Sequence, residues 1–170
     1  MMTDNEKQGK KRSERMLKIF KTAAEAGVSM EKFPVHKFSK YLNGRIISAK
    51  RGEIEVEFDV KDEWANPTGL LHGGMQAALQ DEIIGMTTVT LGYEGTLLTI
   101  DMHVNYLGKV EVGETIRVKA SMVREGRTIL HFFSTIKDKD DNLIATANAN
   151  LLRTQHKIDF IEKLTTPSKD

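Results

Sequence analysis

The chain has 170 residues, 39% of them hydrophobic, which is enough for one domain with a single core. A formal net charge of +1 and 6% aromatic residues give no support for nucleic-acid binding. The absence of cysteine excludes disulfides, a cysteine nucleophile and a cysteine-based metal site. No apolar run approaches membrane-spanning length and no signal-peptide pattern opens the chain, so we expect a cytoplasmic protein without membrane contact.

The N-terminal segment begins polar and then becomes amphipathic. Residues 1–12 carry four basic side chains, which is typical of a solvated tail. Ser13 is a suitable N-cap for a helix that ends near Ala26, where Gly27 supplies a stop. The apolar residues of this helix recur at helical spacing: Met16, Leu17, Phe20 and Ala24. We expect the helix to pack against the main body of the protein.

Alternation of apolar and polar residues predicts strands on both sides of a central helix. The predicted strands span residues 41–50, 53–61, 97–107, 115–124, 128–138 and 143–153. In the second strand Ile54, Val56 and Phe58 point to one side, as expected for a core face. In the third, strict alternation places Leu98, Ile100, Met102, Val104 and Tyr106 on one face and Thr99, Asp101, His103 and Asn105 on the other.

The central helix is predicted from residue 74 to about residue 90, and it is apolar on nearly all sides, as buried helices are. Asp81 lies on a side made of small residues, namely Ala77, Ala78, Gly85 and Thr88. Small neighbours leave space in front of the carboxylate for a ligand or for a second chain. Because burying an unpaired carboxylate is costly, Asp81 needs either a partner or a chemical role.

The sequence from Asn66 to Gly74 leads directly into this helix. Gly73 and Gly74 have no side chains, so a substrate carbonyl could approach their backbone N–H groups closely. The first turn of a helix offers unpaired N–H donors and a partial positive charge, which stabilise a developing oxyanion. The spacing therefore predicts an acyl-transfer site around this turn.

These elements together predict an α+β fold. A curled antiparallel sheet of five or six strands would wrap around one long central helix, with an extra N-terminal helix. A sheet covered by so few helices tends to pair with another copy, so we expect a homodimer.

The chain contains the motif Asn66-x-x-Gly69-x-x-His72-Gly73-Gly74. This motif is followed by Leu79-x-Asp81, by residues 98–102 and by Val104-x-Tyr106. The arrangement resembles the PaaI-type hotdog-fold acyl-CoA thioesterases. The similarity covers roughly residues 41–153. It implies hydrolysis of acyl-CoA thioesters to free acid and coenzyme A, without a metal or a redox cofactor. It also implies a homodimer, or a dimer of dimers, with active sites at the dimer interface.

The resemblance assigns the catalytic residues one by one. Asp81 matches the family carboxylate, which acts either as general base or as nucleophile. Gly73 matches the residue whose backbone N–H polarises the thioester carbonyl. Thr99 matches a hydroxyl that can hydrogen-bond the attacking water, although a β-branched residue in a strand needs no such role. Glu82 is a competing carboxylate, but it points about 100° away from Asp81.

Two further residues carry both functional and structural interpretations. Asn66 corresponds to a residue that positions water or substrate, and it could instead only form an Asx turn before Pro67. His72 belongs to the site by resemblance, yet a histidine before a helix often bonds the backbone. In the resemblance, one subunit contributes Asn66, His72 and Gly73, and the facing subunit contributes Asp81 and Thr99.

Substrate binding is assigned to Gly74 and to the turn at Gly126 and Arg127, where relatives often carry a basic residue near the nucleotide. An exposed hairpin arginine can also be merely solvated. The remaining histidines are His36, His103, His131 and His156, and they lack the spacing of a metal cluster, so we expect no metal.

Two other functions stay open at this stage. One is a non-catalytic acyl-CoA sensor with a DNA-binding segment ahead of the fold, although one helix is too few for a helix-turn-helix. The other is a hotdog dehydratase or hydratase, which needs its own histidine and carboxylate pair. In domain terms we expect a polar tail and helix at residues 1–40, the hotdog domain at 41–155 and a polar tail at 156–170.

Overall fold

The computed structural model describes residues 3–33 and 35–156. The helices are α1 (Asp4–Glu25), α2 (Lys37–Leu42) and α3 (Gly73–Val89), with short 3-10 turns at Met30–Lys32 and Asp62–Trp64. The strands are β1 (Arg45–Lys50), β2 (Glu53–Asp59), β3 (Leu97–Tyr106), β4 (Thr115–Glu125), β5 (Ile129–Asp138) and β6 (Leu143–Arg153). Apart from His156, the predicted C-terminal tail lies outside the described residues.

The six strands form one antiparallel sheet in the order β1-β2-β4-β5-β6-β3. Helix α3 packs against five of them, from β2 to β6. The alternation in β2 produces this core, because Ile54, Val56 and Phe58 are fully buried while the residues between them stay accessible. The predicted α+β fold, a curled antiparallel sheet around one long helix with an extra N-terminal helix, is confirmed.

Helix α1 starts ten residues earlier than predicted, at Asp4 with Thr3 as its N-cap, so most of the expected polar tail is helical. A capping box explains the early start: Thr3 accepts from the Glu6 N–H, and the Glu6 carboxylate accepts from the Thr3 N–H. Ser13 is therefore not the N-cap. It is buried inside α1, and its Oγ donates a 2.5 Å hydrogen bond to the Thr90 carbonyl.

The first strand starts later than predicted, because residues 37–42 form the short helix α2. Asn43 ends this helix with a left-handed φ of 56°, which asparagine tolerates better than most residues. Tyr41, expected to start the strand, instead packs its ring against Trp64 at a centroid distance of 6.4 Å. An aromatic residue at the end of a short helix gives the same local pattern as the start of a strand.

A β-bulge in β3 overturns the predicted assignment of its faces. The pairing with β6 shifts between Thr99 and Asp101, so Ile100 is the extra residue. Thr99 consequently faces α3, whereas Asp101 faces away and accepts hydrogen bonds from Asn150. Strict alternation had placed Thr99 and Asp101 on one face. The bulge is therefore the feature that brings the Thr99 hydroxyl to the central helix.

Strand β3 is also an edge of the sheet, with no partner strand on its outer side among the described residues. Its apolar side chains are exposed, including Leu98, Ile100 at 51% and Tyr106 at 55%.

None of the helices in residues 3–33 and 35–156 combines the length and apolar character that crossing a membrane requires.

Candidate active site

The N-terminus of α3 is shaped by His72, which is its N-cap. The Nδ1 atom of His72 accepts a 2.8 Å hydrogen bond from the Gly74 N–H, and the His72 N–H donates to the Trp64 carbonyl at 2.9 Å. The ring thus satisfies one of the helix's first unpaired donors. This is the structural interpretation of His72, and a role in chemistry stays a prediction.

The backbone N–H of Gly73, in contrast, donates to no acceptor among the described residues. A Cβ at Gly73 would lie 3.3 Å from Cε1 of Tyr106, so that ring covers one side of the turn. The sequence motif included Tyr106 but did not give it this position. A free N–H on the first residue of a long helix is the kind of donor that an oxyanion requires.

Asn66 organises the loop before the helix. Its Oδ1 accepts from the Thr68 N–H at 2.9 Å and from the Leu70 N–H at 3.1 Å, which is an Asx-type turn. Gly69 completes the turn with a φ of +79°. The Asn66 Nδ2 group has no partner among the described residues, so it is available to a ligand.

Asp81 and Thr99 form the second part of the site. The Thr99 hydroxyl donates a 2.9 Å hydrogen bond to Oδ1 of Asp81. Asp81 is exposed and Oδ2 has no partner within the described chain, because its neighbours on this side of α3 are small. Both residues line a cavity beside α3. A carboxylate with one oxygen fixed and the other free can accept a proton or attack a carbonyl carbon.

One chain does not bring these two parts together. Gly73 and Asp81 both belong to α3, and eight residues at about 1.5 Å each separate them by about 12 Å along the helix axis. A carboxylate and an oxyanion donor that act on one carbonyl must each lie about 3 Å from it. Within a single subunit the pair therefore cannot serve the same thioester.

Glu82 belongs to a different cluster, which the sequence did not reveal. Its side chain is only 8% exposed, and Oε1 accepts a hydrogen bond from the Ser39 hydroxyl. Nε2 of His36 lies 3.0 Å from Oγ of Ser39 and 3.4 Å from Oε1 of Glu82. A Ser-His-acid relay needs one ring nitrogen for the serine and the other for the acid. Because the same nitrogen faces both groups, this cluster is not such a relay.

Comparison with known proteins finds a match for the segment that contains Gly73, Asp81 and Thr99. Residues 68–145 match the family model described as the thioesterase superfamily. This stretch of the chain is therefore similar to the thioesterase superfamily. Human acyl-coenzyme A thioesterase 13 is 31% identical over 84 residues, which are 49% of this chain and 60% of the human protein. The chain thus spans less than two thirds of the length of this curated relative.

Two solved structures show the same fold as this chain. The PaaI protein from the E. coli phenylacetic acid degradation operon has a TM-score of 0.71 and 17% identity, over 84% of this chain and 99% of that one. The protein smu.793 from Streptococcus mutans UA159, bound to acetyl CoA, has a TM-score of 0.66 and 24% identity, over 73% and 98%. The fold that the resemblance to PaaI-type hotdog proteins implies is confirmed.

The predicted substrate-binding turn at Gly126 and Arg127 lies near the C-terminal end of α3, because the adjacent Glu125 contacts Tyr93. A Cβ at Gly126 would lie 2.1 Å from the Ile129 carbonyl oxygen, so the turn requires glycine for steric reasons alone. Arg127 is exposed and forms no ion pair with any described residue. Its role toward a nucleotide stays a prediction.

The neighbouring Glu125 anchors this turn. Arg51 binds both carboxylate oxygens at 2.7 and 2.9 Å, and the Tyr93 hydroxyl donates to Oε1. The Arg51 guanidinium holds the pKa of Glu125 below its usual value. Since the folded form has the lower pKa, the ion pair stabilises the protein above the unfolded-state value. That contribution disappears as the pH falls through the lowered value.

Glu125→Gln is therefore expected to lower the free energy of unfolding at pH 7 by about 1 kcal/mol or less, because the pair is partly exposed. The difference between wild type and variant should shrink as the pH falls from 7 through the lowered pKa of Glu125, because the carboxyl group is then protonated in both the folded and unfolded states. Urea unfolding across this pH range measures the difference. A difference that stays constant with pH would contradict a charge-based role.

Within residues 3–33 and 35–156, no three or more His, Asp or Glu side chains converge as a metal site would require. That the reaction needs no metal stays a prediction. Measuring the activity in the presence of a chelator would test it.

Proposed function

We propose that this protein hydrolyses acyl-CoA thioesters to a free acid and coenzyme A. The observation that carries the proposal is the Asp81–Thr99 pair, an exposed carboxylate whose Oδ1 accepts from the Thr99 hydroxyl at 2.9 Å and whose Oδ2 is free. The pair opens onto a cavity large enough for an acyl group. The match to the thioesterase superfamily and the similarity to human acyl-coenzyme A thioesterase 13 support the same reaction.

In the general-base route, Asp81 takes a proton from water and the resulting hydroxide attacks the thioester carbon. The carbonyl electrons move to oxygen, and the Gly73 N–H stabilises the oxyanion. When the carbonyl re-forms, the C–S bond breaks and the CoA thiolate takes up the proton. In the nucleophilic route, Asp81 attacks the carbon first and the C–S bond breaks, which releases the CoA thiolate; water then hydrolyses the mixed anhydride to the free acid and supplies the proton for the thiolate. Both routes consume one water and need no cofactor.

The proposal includes a homodimer, because Gly73 and Asp81 of one chain are about 12 Å apart along α3. The exposed edge of β3 is the surface available for pairing, and an unpaired edge ten residues long invites addition of another strand. Edge-to-edge pairing of two copies would bring the Asn66–Gly74 loop of one subunit to the Asp81–Thr99 pair of the other. Two sites per dimer follow from the symmetry.

Ile100→Lys tests this arrangement. A lysine on the edge of β3 should prevent pairing, so we expect the particle mass to fall to that of a monomer. Activity should fall on the order of 100-fold, because the oxyanion donor comes from the other subunit. Light scattering and thiol release measure the two effects. Val123→Lys is the matched control, since Val123 is 62% exposed on the interior strand β4. A fully active monomer would refute the shared site.

Release of free thiol from a panel of acetyl, butyryl, decanoyl, palmitoyl and phenylacetyl CoA tests the activity itself. We expect hydrolysis in the presence of EDTA. Tight binding of acyl-CoA without turnover would instead support the sensor alternative, although α1 is one continuous helix rather than a helix-turn-helix.

The hydratase alternative has one observation in its favour, the pairing of His36 with Glu82 in the same cavity. Such a pair could move protons on the acyl chain rather than at the thioester. Adding 3-hydroxybutyryl-CoA to the panel separates the reactions, because dehydration gives an enoyl-CoA and no free thiol. Formation of the enoyl product, lost in Glu82→Gln, would favour this second candidate.

A further inference from the structure

The cavity beside Asp81 has a volume of about 1270 Å³ and lies between α1, α3 and the start of β3. It is larger than the 300–1,000 Å³ of most small-molecule sites. Its apolar lining includes Met86 and Val89 of α3 and Met16 and Phe20 of α1. Polar residues of the same two helices line it as well, among them Glu82, Thr88 and Arg15. The walls are nevertheless largely apolar, and the carboxylate of the proposed active site stands at one end.

Helix α1 converts this side of α3 from an open groove into a chamber. Hydrogen bonds to backbone carbonyls help to hold it in place: the Ser13 hydroxyl donates to the Thr90 carbonyl at 2.5 Å, and Nε of Arg12 donates to the Gly92 carbonyl at 3.0 Å. A Cβ at Gly92 would lie 2.1 Å from the Gly9 carbonyl oxygen, so the two backbones are in close contact there. Both anchors lie past the C-terminal end of α3, where they close the chamber.

The distance between the two ends sets a length scale. From Asp81 to Val89 the helix rises by about 12 Å, at about 1.5 Å per residue. An extended chain covers about 1.2 Å per atom, from about 3.5 Å for the three backbone atoms of a residue. About ten carbon atoms therefore fit between the carboxylate and the far end. Polar side chains line the cavity as well, namely Gln8, Lys11 and Arg12. The methylene groups of a longer acyl chain would meet these polar groups and would gain no further apolar burial.

We propose that this chamber holds the acyl chain and that α1 makes the enzyme selective for medium-chain acyl groups of about ten carbons. The inference rests on the proposed thioesterase activity, and it adds the substrate class. The cavity begins at the residues that would act on the thioester carbon, is largely apolar along its walls and becomes polar at the distance where a ten-carbon chain ends.

The first test is the chain-length dependence of kcat/KM for straight acyl-CoA thioesters. Each buried methylene should raise kcat/KM by about fourfold, and the rise should stop near ten carbons. Fastest hydrolysis of acetyl-CoA or phenylacetyl-CoA, or a rise that continues unchanged to palmitoyl-CoA, would overturn the proposal. If no thioester is hydrolysed at all, the proposed function itself has failed.

Gly85→Leu is the sharper test. Gly85 lies one turn after Asp81 and lines the cavity, and a Cβ there would meet no atom within 4 Å. A leucine would fill the chamber about 6 Å beyond Asp81 along the helix, and leucine is a better helix former than glycine. We expect the ratio of kcat/KM for decanoyl-CoA to that for butyryl-CoA to fall on the order of 100-fold. Gly85→Ala should lower the ratio less.

Lys21→Leu supplies the matched control, because it places leucine at an exposed position of α1 that does not line the cavity. This variant should keep the wild-type ratio. Equal loss of activity on both chain lengths in Gly85→Leu would overturn the proposal. Dissociation of the oligomer by Gly85→Leu, measured by light scattering, would do so as well, since the small face of α3 would then be a contact with another subunit.

Discussion

Replacing Asp81 with Asn is expected to lower kcat/KM for acyl-CoA thioesters on the order of 10³-fold or more. Asparagine keeps the shape of the side chain, and its Oδ1 can still accept the hydrogen bond from Thr99. It removes the negative charge, so the side chain can neither take a proton from water nor attack the thioester carbon. Both proposed routes fail for the same reason.

The fold should survive this change. Asp81 is exposed, Thr99 is its hydrogen-bond partner among the described residues, and no cation pairs with it there. Circular dichroism, thermal unfolding and light scattering of Asp81→Asn should therefore match the wild type. A loss of activity with unchanged structure would then be chemical rather than structural.

Two neighbouring substitutions calibrate the result. Thr99→Ala removes the hydroxyl but leaves the carboxylate, so its loss should be smaller than that of Asp81→Asn. Glu82→Gln changes the adjacent carboxylate, which faces Ser39 and His36, and should keep most thioesterase activity. Near-normal turnover in Asp81→Asn, or a loss in Glu82→Gln as large as that expected for Asp81, would reject the assignment of Asp81.

The fold could be predicted because its two periodicities are strong. Period-two alternation in residues 53–59 and a largely apolar stretch from Met75 to Val89 indicate a sheet and a buried helix without any tertiary information. The Gly73–Gly74 turn was predictable for a related reason. Glycine next to a helix start has few uses other than a tight turn or close approach to a ligand.

What could not be predicted depends on non-local contacts. The bulge at Ile100 leaves no mark on the alternation of β3, yet it decides that Thr99 rather than Asp101 faces Asp81. The Ser39–His36–Glu82 cluster joins segments more than 40 residues apart, so no local pattern reveals it.

The N-terminal helix was misjudged for a different reason. Its polar first half looks like a tail, and only the Thr3–Glu6 capping box signals a helix start there. Its function as a wall of the cavity follows from the buried hydroxyl of Ser13 and from Arg12, which both reach backbone carbonyls past the end of α3. A serine or an arginine in a helix does not by itself indicate a hydrogen bond to a distant backbone carbonyl.

Replacing Gly73 with Pro is expected to lower kcat by about 10²- to 10³-fold, because it deletes the backbone N–H proposed to stabilise the oxyanion. Most deletions of a backbone donor disrupt the fold, but this position tolerates proline. Gly73 is the first residue of α3, where the N–H has no partner within the helix and proline is favoured. The preceding residue, His72, already has φ −60° and ψ 137°, which are the angles that a residue before proline prefers.

Gly73→Ala is the matched control, because it adds a side chain of similar placement and keeps the N–H. Its Cβ would lie 3.3 Å from Cε1 of Tyr106, whose ring is 55% exposed and free to move by a few tenths of an ångström. We expect the alanine variant to lose far less activity than the proline variant, with both showing wild-type circular dichroism and oligomer mass. Both variants add atoms to the same turn, so the difference between their kcat values reports the effect of the Gly73 N–H hydrogen alone. Equal kcat values for Gly73→Pro and Gly73→Ala would mean that the oxyanion is stabilised elsewhere, because the neighbouring Gly74 N–H already donates to Nδ1 of His72.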